Sequence, residues 1–144
     1  MSDSVKPVVT PAPELLARMS ATAKQTIAPN TSGPAKSQAF MLAVVLEKLA
    51  RQIALEPKHA AAAERDHDAL CADLDREHAL GFPARTEVAA RAVHAEGDAA
   101  SLCGLVSALY ADRAALGDER FHRILGMVRG VLRADVDRRM EYSA

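Results

Sequence analysis

His67, Cys71, Leu74 and His78 stand at offsets of 4, 7 and 11, which puts all four on one face of a helix. An imidazole and a thiolate one helical turn apart can grip zinc or another soft metal. A closed zinc site needs four ligands, so the others would have to come from His94, Cys103 or His122. The chain contains no C-x-x-C, no H-x-x-x-H and no H-E-x-x-H. The expectation is therefore no metal and no cofactor. Cys71 reads as a small core residue, with both histidines at the edge of its apolar stripe. Two cysteines make no disulfide framework, so Cys71 and Cys103 are expected to stay reduced.

Other chemistry is thinner. Asp73 and Glu77 stand one turn apart, an acid pair of the kind a glycosidase uses, but on an acidic helix they are expected to form a solvated face. The segment Glu64–His78, ERDHDALCADLDREH, resembles the first helix of hemerythrin-like di-iron bundles. The later His-x-x-x-Glu and His-x-x-x-His pairs of such a centre are missing, which excludes that family. Glu119 and His122 have the spacing of half a ferritin-like site, with no second copy. No glycine-rich phosphate loop and no Gly-x-Ser-x-Gly occurs. No catalytic residue is named, and the chain is not expected to be an enzyme.

Two surface patterns remain. Ala84–Leu116 has a helix-turn-helix outline, but the positions that would face DNA are Ala99, Ala100, Ser101 and Gly104. None of them can read a base edge. The last helix is more informative: Gly126, Gly130 and Ala134 recur every four residues, flanked by His122, Arg129 and Arg133. Mid-helix glycine costs about 1 kcal/mol against alanine, so a close helix approach is expected there. These six residues are the candidate interface, toward another part of the chain or another protein.

The elements that position these residues are helical throughout. Thirty of the 144 residues are alanine, and aromatics make up 3%, which favours helix over sheet. Residues 1–13, with Pro7, Pro11 and Pro13, read as a disordered leader. A weak helix and a linker fill 14–36, and Ser37 is the expected N-cap of the strongest helix, Gln38–Glu56. Its stripe of Leu42, Val45, Leu46, Leu49 and Ile53 is expected to face the core. Pro57 should end or kink that helix. An acidic helix follows over 58–80, then helices over 84–95, 99–116 and 119–141, separated by Gly81-Phe82-Pro83, Gly97-Asp98 and Gly117-Asp118. The resulting fold is an all-α bundle of five to six helices, antiparallel and partly orthogonal, with its bundle domain over 37–144.

A net charge of −1 and the lack of a long apolar run argue against nucleic acid as a partner and against membrane insertion. No segment has the pattern of a secretory signal. The Ala/Arg/Asp-rich composition is that of a GC-rich bacterial genome, and the expected location is the cytoplasm. By elimination, the function expected is protein–protein interaction: a helical adaptor, chaperone or regulatory subunit, able to form a homodimer, whose acidic and arginine-bearing helices offer separate faces. Two other readings stay open. One is a helical regulator binding nucleic acid through Arg120, Arg123, Arg129, Arg133, Arg138 and Arg139. The other is a metal or redox protein built around His67, Cys71 and His78.

Overall fold

The computed structural model describes residues 10–142, and every regular element in them is helical. The order is α1 (Ala12–Thr22), a π turn (Ala23–Ile27), a 3-10 turn (Ala28–Asn30), α2 (Gly33–His78), α3 (Ala84–Ala95), α4 (Ala99–Ala111), α5 (Arg113–Leu116) and α6 (Asp118–Glu141). Most of the expected leader lies outside the described residues. Helix α1 takes in its last two positions, with a proline in the first turn, where a missing N–H costs nothing.

The chain divides into two compact units, residues 1–58 with 142–144, and His59–Glu141. Helix α2 passes through that boundary unbroken, contrary to the stop or kink expected at Pro57. Proline there removes one intrahelical hydrogen bond and crowds the carbonyl of Ile53, a cost of about 3 kcal/mol. Strong helix formers on both sides, IALE before and KHAAAAE after, carry the helix across. The start of α2 also differs. It begins at Gly33, so Ser37 lies within the helix instead of capping it.

In the first unit, α1 and the first part of α2 form a helical hairpin. The Ser20 hydroxyl donates to the Ala43 carbonyl at 2.8 Å across a buried seam. Buried with it are Ala23, Ala28, Ala39, Ala43, Leu46 and Ala50. The α2 members recur at 4-3-4 spacing, one line along the helix. Short side chains on that line set a close interaxial distance.

The second unit has a core of large side chains: Leu70, Leu74, Val93, Leu102, Leu105, Leu109, Leu116, Phe121, Ile124, Leu125 and Val128. These are the stripes the periodicity predicts for α4, α6 and the second part of α2. The expected 99–116 helix is interrupted at Asp112. Its carboxylate turns back to accept from both the backbone N–H and the hydroxyl of Thr86, each at 2.8 Å, capping the start of α3. At Gly97, φ is +61°, and an added Cβ would stand 2.5 Å from the His67 ring. That ring donates from Nε2 to the Val93 carbonyl at 2.9 Å, so His67 pins the α3–α4 turn. Asp98 then caps α4 by accepting from the Ser101 N–H at 2.8 Å.

Candidate protein interface

The acidic and arginine-bearing helices are not separate free faces, because they are paired with each other. Along α2, His59, Asp66 and Glu77 fall on the same stripe as Leu70 and Leu74, and α6 meets each of them. His59 Nε2 lies 2.8 Å from Glu141, and Arg138 donates to Asp66 at 2.6 Å. Arg120 and Arg123 both donate to the Glu77 carboxylate, at 2.9 and 2.6 Å, and Arg120 also donates to the Glu77 and Gly81 carbonyls. Glu77 is buried, contrary to the solvated position expected of it. The Arg123 hydrogen bond, helped by Arg120 and opposed by burial, holds its carboxyl below the usual carboxylate range. Arg139 pairs with Asp135 at 2.8 Å. Four of the six arginines considered for nucleic acid are thus occupied by carboxylates of this chain.

Helical geometry brings the six expected interface residues together on one flank of α6. Gly126 and Gly130 are exposed, and a Cβ at either would meet nothing within 4 Å, so no described part of the chain makes the close approach expected there. His122 Nδ1 lies 2.7 Å from the Asp118 carbonyl, with its ring edge-on to Phe121. Arg129 reaches the Tyr110 hydroxyl at 3.3 Å. Arg133 is exposed, while Ala134 and Gly130 line a shallow groove beside Asp66 and Met127.

The histidine and cysteine chemistry is dispersed. Cys71 Sγ is 3.5 Å from His67 Nε2. Burial, with Asp75 and Asp68 nearby, pushes the Cys71 thiol up, away from reactivity. His78 points elsewhere, 2.9 Å from Glu87, into an open cleft of about 450 Å³ floored by Leu74 and Phe82. On the far side of that cleft, His94 has both nitrogens engaged, by the Ala90 carbonyl and Asp75, each at 2.9 Å. Among the described residues, no group of three or more His, Cys, Asp or Glu is arranged to hold a metal ion.

The hairpin exposes a run of large apolar side chains whose periodicity predicts burial. Of the α2 stripe Leu42, Val45, Leu46, Leu49 and Ile53, only Leu46 is buried. The others are exposed together with Leu15, Met19, Ile27, Phe40, Met41 and Val44, from 39% at Ile53 to 69% at Met41. Leu42, Val45 and Leu49 each directly precede a seam residue of α2, as Leu15 precedes Leu16 and Met19 precedes Ser20 on α1. One residue is about 100° of helix, and in an antiparallel pair that same turn lands on the same side. Both helices therefore contribute to one continuous apolar face. The 4-3-4 line of Ala39, Ala43, Leu46 and Ala50 beside the leucine stripe is the signal in the sequence.

No family model matches this chain, and neither a curated protein nor a solved structure matches it.

Proposed function

We propose that the chain is a non-catalytic protein-interaction module, an adaptor or regulatory subunit of the cytoplasm, and that it binds through the apolar face of its N-terminal hairpin. One observation carries this reading. Among the described residues, seven of the fifteen exposed large apolar side chains, Leu15, Met19, Met41, Leu42, Val45, Leu49 and Ile53, lie on one face of the hairpin. Scattered apolar residues are ordinary on a protein surface, whereas a contiguous patch of this kind marks a contact. No helix among the described residues is long and apolar enough to cross a membrane. The flank of His122, Gly126, Arg129, Gly130, Arg133 and Ala134 is a second contact in the same reading. It is favoured by two exposed mid-helix glycines that alanine would improve.

Methionine oxidation in native lysate tests the main contact. Met19 and Met41 should be protected relative to Met140, which is 65% exposed in the second unit. Equal oxidation of all three would remove the hairpin face as a protein contact.

A further inference from the structure

The hairpin buries little apolar surface of its own. Among the described residues its buried apolar side chains are five alanines and one leucine, in a two-helix piece near the size below which a core is thin. A second copy of the chain is a partner present wherever the chain is, at matched concentration.

The exposed band of α2 is also complementary to itself. Around the helix, Gln38, Met41, Leu42, Val45, Leu49, Gln52, Ile53 and Glu56 form one band, apolar except at Gln52 over the roughly 18 Å from Met41 to Ile53, with Gln38 and Glu56 at its ends. Antiparallel packing about a two-fold axis level with Glu47 sets Val45 opposite Leu49, with Met41 and Ile53 on opposite flanks of the contact. Leu42 is level with Gln52 and packs beside Leu49 and Ile53 of the second copy. At each end the Gln38 amide meets the Glu56 carboxylate, a donor against an acceptor. A parallel arrangement would instead put Glu56 against Glu56. The symmetry is that of an isologous interface, in which each contact occurs twice.

We propose that two copies of this chain associate through the hairpin face, their α2 helices antiparallel about a two-fold axis at Glu47, to form a four-helix bundle. Leu15 and Met19 of α1 lie on the same face and extend the contact. The proposal rests on the reading of this face as a protein contact and names the partner.

The test is sedimentation of the full chain at equal micromolar concentrations. Wild type should be a dimer. Val45→Glu and Leu49→Lys, each placing a charge against an apolar side chain, should weaken self-association about tenfold or more. Mixing the two variants should restore the dimer, because the new carboxylate at 45 then faces the new ammonium at 49 across the antiparallel register. Circular dichroism checks the helicity of each. If either loses helix, Val45→Gln, a milder change at the centre of the band, should give the same monomer. A dimer indifferent to these substitutions, or variants that fail to rescue one another while remaining helical, would overturn the proposal. So would a monomeric wild type, including one that binds lipid vesicles. A monomeric wild type whose Met19 and Met41 stay protected in native lysate would overturn the second copy and leave the protein-contact reading intact.

Discussion

In residues 59–141 the large apolar side chains are inside and the charges on the α2–α6 seam are matched. In residues 10–58 alanine is inside and the large apolar side chains are outside. Both regions are helical and rich in alanine, so composition does not separate them. The number of helices does. Several helices can enclose a common volume that leucine and phenylalanine fill. Two helices share only one line of contact, and the closest fit along that line comes from small residues. Side chains a quarter turn away are then left outside, however apolar they are. A stripe of leucines thus marks a core only where enough helices are present to surround it.

Truncation separates the two regions most sharply. Leu109→Ala, at a fully buried position, should cost about 2–5 kcal/mol in chemical denaturation. Leu49→Ala should cost below about 1 kcal/mol in dilute protein, because 41% of that residue is already exposed. Equal costs would erase the distinction between the regions.

Glu77→Ala should cost about 2–3 kcal/mol. That is less than the full penalty of breaking a buried pair, because Arg120 and Arg123 retain some access to water. The pH dependence has a definite sign. The folded-state pKa of Glu77 is depressed, so its contribution is complete above the unfolded value of about 4.3 and is lost as pH falls through the lower folded value. Acid titration of stability should therefore be shallower in Glu77→Gln than in wild type below about pH 4.3. An unchanged slope would mean that the seam charges are not coupled to folding.

Gly97→Ala should destabilise by about 1–2 kcal/mol from its left-handed backbone alone, with a further cost for displacing the His67 ring. The smallest effect has the opposite sign. Gly126→Ala and Gly130→Ala have open space for the new methyl and should each stabilise the isolated chain by about 0.5–1 kcal/mol, read as a raised melting temperature. Destabilisation at either would show that another molecule packs on that flank of α6.

Periodicity disclosed the helices of the second unit because each has one apolar stripe and a glycine-marked end. Leu102, Leu105 and Leu109 on α4, and Phe121, Ile124, Leu125 and Val128 on α6, are buried at the spacing that predicts them. Three features were hidden for physical reasons. Glu77 sits at a core offset, but its type argued for solvent until the two arginines that neutralise it came within reach. Asp112 ends α4 by capping a helix start 26 residues earlier, a contact that no local pattern records. In the hairpin, α2 carries two stripes, and hydrophobicity alone ranks leucine above alanine although alanine gives the closer helix contact. The apolar face was thus visible as a pattern and assigned to the wrong side.

The proline within α2 has a consequence for how the molecule opens. A helix transmits cooperativity through its ladder of backbone hydrogen bonds, and Pro57 removes one rung at the boundary between the units. Local unfolding should therefore occur in two blocks. Amide hydrogen exchange over 36–56 should report the opening of the hairpin, and exchange over 60–78 that of the bundle. If the hairpin is completed by a second copy, exchange in the first block alone should slow as protein concentration rises. One unbroken helix would then carry two protection factors that differ in their response to mass action.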